Sequence, residues 1–209
     1  MGLSRNSDLT SGNHEIHKNK YLDGLMERLI VNQKIELEKL KFSHAFQVFQ
    51  AIDRNRAFLS PWLPFVQDTE TQEDTEAFIQ SITSRAGQDQ DDVFVIWYDH
   101  CFAGLIGYKD TDRINLKTEI GYWLIERMTG KGIALLSTKT LIDFAFSELG
   151  MNRIVIRCGV GNDKSSAIPL RLGFEFEGIE RQGEKHQERY IDLKVFSCLK
   201  KDWKSHTRF

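Results

Sequence analysis

The chain has 209 residues, 41% of them hydrophobic and 28% charged, with a formal net charge of -2 at pH 7. That is enough length and apolar content for one globular domain with its own core. The charge balance argues against binding by phosphate-backbone neutralisation, and no apolar run approaches a bilayer span, so neither nucleic acid nor membrane is an expected partner.

Residues 1–25 are polar and aperiodic and lack the apolar centre of a secretory signal; a flexible arm is expected there, followed by one domain over 26–209. His14 and His17 form an H-x-x-H in the arm without a third ligand nearby, and no metal is expected. "IELEKL" alternates Ile35 and Leu37 and reads as a strand. Ser43 stands where a helix cap would, before Phe46, Val48, Phe49 and Ile52 at helical spacing. "LSPWLPFV" holds Pro61 and Pro64 and reads as an aromatic connection without regular helix. Thr71 and Asp74 have capping-box spacing ahead of Phe78, Ile79 and Ile82, with Gly87 ending that second helix.

"VFVIWY" (93–98) and "FAGLIGY" (102–108) flank "DHC" as a hairpin, and "TEIGYWLI" (118–125) supplies the next strand. A long helix runs to about Glu148, closed by Gly150. "RIVIRCGV" (153–160) is a strand and "KSSAIPLRL" a short helix ended by Gly173. "GFEFEGIER" and "RYIDLKVFSCL" pair across "QGEKHQ". The long helix must join two neighbouring parallel strands, so the sheet is mixed. The expected class is α+β in three layers, six to seven strands flanked by about four helices. The final strand is apolar on both faces; as an open edge it would need cover, and a homodimer is expected. Cys101, Cys158 and Cys198 are odd in number and far apart, which predicts free buried thiols in a reducing cytoplasm.

The chemistry-bearing stretch is "ERMTGKGIALLSTKTLIDFAF" (126–146). A Walker A loop is excluded because position 125 is Ile and Lys131 is followed by Gly132; a Rossmann fingerprint is excluded because position 135 is Leu. The pattern is R-x-x-G-x-G-x-A over Arg127, Met128, Thr129, Gly130, Lys131, Gly132, Ile133 and Ala134. Unpaired N–H groups at a helix start, with glycines that let a ligand approach closely, suit a phosphate.

This loop resembles that of the GNAT superfamily of N-acetyltransferases, where it cradles the pyrophosphate of acetyl-CoA. "NDKSSAIPLRLGFEFEG" and "NRAFLSPWLPFV" are similar to stretches of the branch that acetylates ribosomal-protein N-terminal serine or alanine. The resemblance covers roughly 27–203. It implies a GNAT fold whose strands 4 and 5 are parallel and splayed, acetyl-CoA as cosubstrate, and direct transfer to a primary amine. The acceptor it implies is a protein N-terminal α-amine, with ribosomal proteins as the branch's partners. A small amine such as a polyamine or aminoglycoside, and a non-catalytic acyl-CoA-binding module, remain alternatives.

For the cosubstrate, the implied contacts are Trp123, Leu124 and Ile125 on the strand, the loop from Arg127 to Ala134, and Asn162, which equally suits a helix cap. Ser165 is the candidate donor to the departing thiolate. Glu119 shares a strand face with Gly121 and Trp123 and is the candidate base, with Tyr190 and Asp192 as the others. Trp62 and Tyr190 are the candidate acceptor contacts; Trp62 and Phe65 equally suit packing of their loop. The five carboxylates between 68 and 76 read either as a solvated helix start or as an anionic lip.

Overall fold

The computed structural model describes residues 27–84 and 91–203. The expected arm with its two histidines, and Gly87, lie outside the described residues. The first strand signal resolves into two short strands, β1 (Arg28–Ile30) and β2 (Ile35–Lys39). Asn32 folds the chain between them, its Oδ1 accepting the N–H groups of Lys34 and Ile35 at 2.8 and 2.9 Å. Side chain–main chain bonding of this kind is how Asn makes turns.

Next come α1 (Ala45–Arg54), two one-turn helices α2 (Arg56–Leu59) and α3 (Phe65–Asp68), and α4 (Gln72–Thr83). Ser43 does not cap α1: it lies in a preceding 3-10 turn, where the Lys41 N–H donates to His44 Nδ1 at 3.1 Å. The two-proline stretch carries helical turns after all, because Pro64 sits at the N-cap of α3, where its missing N–H costs nothing. The Thr71–Asp74 capping box forms as expected. Arg56 holds the connection shut, donating to the carbonyls of Val66 and Thr69 at 2.7 and 2.5 Å.

The chain then builds β3 (Val93–Tyr98), β4 (Cys101–Asp112), β5 (Lys117–Leu124), α5 (Ile133–Ser147), β6 (Arg153–Gly159), α6 (Asp163–Arg171), β7 (Glu175–His186) and β8 (Arg189–Leu199). Asp99 and His100, at φ 47° and 62°, make the two-residue hairpin turn between β3 and β4. Most of "QGEKHQ", expected as a turn, extends β7; the reversal needs only Gln187 and Glu188. Cys101 is exposed at its turn, against expectation, while Cys158 and Cys198 are buried; all three are free.

All eight strands form one sheet in the order β1-β2-β3-β4-β5-β6-β8-β7. Both faces are covered. Phe94, Ile96, Ile106 and Ile120 pack with Ile133, Leu141 and Ile142 of α5 on one side. Val95 and Leu105 pack with Val48, Ile52, Leu59 and Ile79 on the other. Burial on both faces is why "VFVIWY" reads as an unbroken apolar run. It also explains β8, which lies between β6 and β7 and is not an edge. The two edges are β1 and β7, so the expected motive for covering the last strand falls away.

One pair is parallel. β5 and β6 match only at Lys117↔Arg153, Thr118↔Ile154 and Glu119↔Val155. Beyond that rung β5 stays with β4 and β6 stays with β8. The strands part, and the sheet opens at its parallel pair, the splay that the resemblance implies.

Candidate active site

Gly130 and Gly132 have φ of 76° and 75°, a backbone region that strongly favours glycine. A methyl group at either would meet nothing within 4 Å, so the space beyond the loop is open. Gly132 is the N-cap of α5, and no side chain caps that end. The first bond of the helix runs from Leu136 N–H to Gly132 O at 3.0 Å, leaving the N–H groups of 133–135 without a partner in the helix. Asn55 steadies the approach to the loop by accepting the Glu126 N–H at 3.1 Å.

A cavity of about 660 Å³ lies over this helix end. Of the expected cosubstrate residues, Trp123, Leu124, Thr129, Gly130, Gly132, Ile133, Ala134, Asn162 and Ser165 line it, as does Trp62. Four do not. Ile125 and Met128 are buried in the core, Arg127 is exposed, and Lys131 holds its ammonium 5.4 Å from the Tyr98 ring centre. Two cations of α6 join the lining, Lys164 and Arg171, and neither makes an ion pair among the described residues.

Inside the gap between β5 and β6, Tyr122 Oη donates to the Ser165 carbonyl at 3.1 Å. Ser165 Oγ lies 3.4 Å from that phenol and 3.3 Å from Cys158 Sγ. Asn162 Oδ1 accepts the Ser165 N–H at 3.1 Å, so it caps α6 and fixes this serine. Burial pushes both the Tyr122 phenol and the Cys158 thiol above their ordinary values, so both are neutral donors.

A second cavity, of about 490 Å³, opens on the α1–α4 side. It shares three residues with the first: Leu63, Tyr122 and Trp123. Its wall is largely apolar, from Val48, Phe65, Phe78 and Leu105, with two carboxylates, Asp91 and Glu184, and one cation, Lys109, whose ammonium is paired with Glu119. None of the five acids of the expected lip lines it; Glu73 and Asp74 lie in the first turn of α4, while Asp68 ends α3.

Glu119 is placed elsewhere. It is 3% exposed, lines neither cavity, and spends its two oxygens on cations: Lys109 Nζ at 2.8 Å and the Arg157 guanidinium. It ties Lys109 of β4 to Arg157 of β6 at the last shared rung of β5 and β6. Tyr190 is 57% exposed and lines neither cavity, and Asp192 accepts the Gln182 N–H at 2.8 Å on the far side of β8. Reading the sequence missed Glu184. Its Oε2 is 2.8 Å from Nε2 of buried His186, and a register shift between Glu180 and Glu184 turns it inward. No spacing in the sequence signals that bulge.

A mixed sheet that parts at its one parallel pair, beside an uncapped glycine-led helix, defines a GNAT-type acetyltransferase. The chain belongs to the GNAT acetyltransferase family, whose domain matches residues 34–175, and it is an N-acetyltransferase. It is 34% identical over 174 residues to YdaF of Bacillus subtilis (strain 168), provisionally named a ribosomal N-acetyltransferase; the match covers 83% of this chain and 95% of that protein. It is 28% identical over 175 residues to the ribosomal-protein-serine acetyltransferase of Escherichia coli (strain K12), covering 84% and 98%. Among solved structures it superposes on RimL, the ribosomal L7/L12 α-N-protein acetyltransferase in complex with coenzyme A, with a TM-score of 0.79 at 28% identity over 83% and 98%.

Proposed function

We propose that the enzyme moves the acetyl group of acetyl-CoA directly to a protein N-terminal α-amine, of the kind ribosomal proteins carry. The observation that carries this reading is the pair of cavities meeting at Tyr122 and Trp123. One is shaped for a phosphate-bearing cosubstrate, with N–H donors at the α5 start and Lys164 and Arg171 nearby. The other is apolar with two carboxylates, which suits an amine arriving as a cation. Two open cavities that touch allow both substrates to be bound together. The buried, protonated thiol of Cys158 argues against an acyl-cysteine intermediate.

In this reading the carbonyl carbon lies at the gap, and the departing thiolate takes its proton from Ser165 Oγ, which Tyr122 and Cys158 hold in place. Glu184, oriented by His186, takes the first proton from the ammonium so that the nitrogen lone pair can attack the carbonyl carbon. The second N–H proton leaves as the C–S bond breaks and, through solvent, replaces the one that Ser165 Oγ gives to the thiolate. An N-terminal amine has an ordinary pKa of about 7.7–8.0 against about 10.4 for lysine, so it asks less of that base. The relatives named for ribosomal proteins support the same acceptor.

We place the enzyme in the cytoplasm, as its free thiols suit; among the described residues no helix is long and apolar enough to cross a membrane. The expected homodimer now rests on the open edge β7, where Phe176 and Ile179 are 49% and 54% exposed. Light scattering at micromolar concentration tests it, and the mass of one chain throughout would remove it.

The test of the acceptor is release of coenzyme A thiol with a panel of free and N-blocked peptides, lysine side chains and polyamines. Release with free N-termini alone is expected. Release only with a polyamine would replace the acceptor.

A further inference from the structure

β7 and β8 pair at Glu180↔Leu193 and next at Glu184↔Ile191, so Arg181, Gln182 and Gly183 stand opposite Asp192 alone. A bulge of this kind leaves residues out of the ladder, bends its strand and re-aims side chains. The residue it delivers to the second cavity is Glu184. Whatever holds the bulge in one shape therefore decides where that carboxylate points.

Asp192 grips the bulge at its centre. Its Oδ1 accepts the Gln182 N–H at 2.8 Å. Gln182 has a φ of 52°, in the left-handed region that a residue with a side chain seldom adopts, and such a conformation persists only where the surroundings fix it. The main-chain oxygen of Asp192 accepts the Val160 N–H at 2.9 Å, which joins the same residue to the end of β6, from where the chain runs through Asn162 to Ser165. On the other flank, Glu180 Oε2 meets Arg157 Nε at 3.0 Å. A methyl group on Gly183 would lie 3.0 Å from Glu180 Cγ and Cδ and from Leu193 Cδ1, so the Glu180 side chain is packed over the bulge and leaves little room there. Just beyond, Glu184 Oε2 lies 2.8 Å from His186 Nε2.

We propose that Asp192 is a positioning residue for Glu184: its carboxylate fixes the bulge at Gln182, and the bulge aims Glu184 at the amine. This deepens the preceding reading and rests on Glu184 as the base. The role asks Asp192 for a hydrogen-bond acceptor and not for a site that takes a proton. Asp192, a candidate base on its own strand, thus acts through another carboxylate. Its side chain holds the strand that carries the base, and its main chain holds the start of the loop that leads to the proton donor.

The test compares Asp192→Asn, Asp192→Ala, Glu184→Gln and the double variant Asp192→Ala with Glu184→Gln, using whichever amine wild type acetylates. The KM for acetyl-CoA reports an intact fold. Asp192→Asn keeps an oxygen acceptor for Gln182, and should retain about a third or more of wild-type kcat/KM for the amine, with the same rise with pH. Asp192→Ala should lower it by about tenfold or more, since misplacing a catalytic group by about 1 Å costs up to about a hundredfold. On the Glu184→Gln background the same change should cost less than about twofold, because no base is left to misplace. Gly183→Val disturbs the bulge without touching Asp192 and should repeat the Asp192→Ala pattern, which keeps the test open if Asp192→Ala fails to fold. A full additive loss in the double variant, a flattened pH profile in Asp192→Asn, or no loss in Asp192→Ala would overturn the role while Glu184 keeps its own. A Glu184→Gln enzyme as active as wild type would instead remove the base, and this role with it.

Discussion

The Tyr122 phenol donates to the main-chain carbonyl of Ser165 across 3.1 Å, joining β5 to α6 over the gap where β5 and β6 have ceased to pair. Two elements that share no ladder there are tied by one side chain. That bond, with the Asn162 cap, sets where the serine hydroxyl points.

Ser165→Ala should therefore lower kcat by about a hundredfold, the range for loss of one proton donor, while the Kd for coenzyme A changes little. Stabilising the leaving thiolate matters only as the C–S bond breaks. Steady-state kinetics beside calorimetry separates the two. An unchanged kcat would pass the donor role to Tyr122 or to water.

Glu184→Gln and Glu119→Gln should fail differently. The first should reduce kcat/KM for the amine by about a hundredfold or more and flatten its rise with pH, leaving thermal stability near wild type. The second strips the anchor from Lys109 and Arg157, and breaking such a buried pair costs up to about 3 kcal/mol. Its Tm should fall while the pH profile keeps its shape. Thermal melts and pH–rate profiles on both variants check the assignment, which a reversed pattern would sink.

Gly132→Val should weaken coenzyme A binding by about tenfold or more, because a side chain at the helix start blocks close approach. Gly150 supplies the control. Its φ is 70° and a methyl group there also meets nothing within 4 Å, but it closes the far end of α5. Gly150→Val carries the same backbone strain and should leave calorimetric affinity intact. Equal losses in both variants would mean strain alone explains the effect.

Acid should loosen the tie between β6 and β7. Arg153 makes a two-bond pair with Glu177, at 2.7 and 2.5 Å, and Ser197 Oγ donates to the same carboxylate at 2.7 Å. The Arg153 guanidinium holds the Glu177 carboxyl at about 2, below its ordinary 4.5. A depressed carboxyl contributes its stability fully above the unfolded value and loses it as pH falls from about 4.5 towards about 2. Urea titrations should show Arg153→Gln losing less stability across that window than wild type. Parallel pH slopes would dismiss the pair.

The sequence alone carried what depends on local chemistry. The glycine loop, its helix and the β-α-β order around them were legible because helix starts, caps and apolar periods are set by residues a few positions apart. So were the Thr71–Asp74 capping box and the Asn162 cap. What escaped depended on partners distant in the chain. Glu119 reads as a candidate base on its own strand, and becomes an anchor only because Lys109 and Arg157 come from the strands on either side of β5. Glu184 reads as one acid in a polar turn, and faces the cavity only because β7 extends and bulges against β8. The two-sided apolar pattern of β8 fits an open edge needing cover as well as an interior strand; sheet order alone makes it interior. Gly121 looks like its neighbours Gly104 and Gly107, and only the backbone packed against each tells which glycine the fold requires. Periodicity records which way a side chain faces, whereas strand order and register decide what it meets there, and those are fixed by burial of the whole sheet at once.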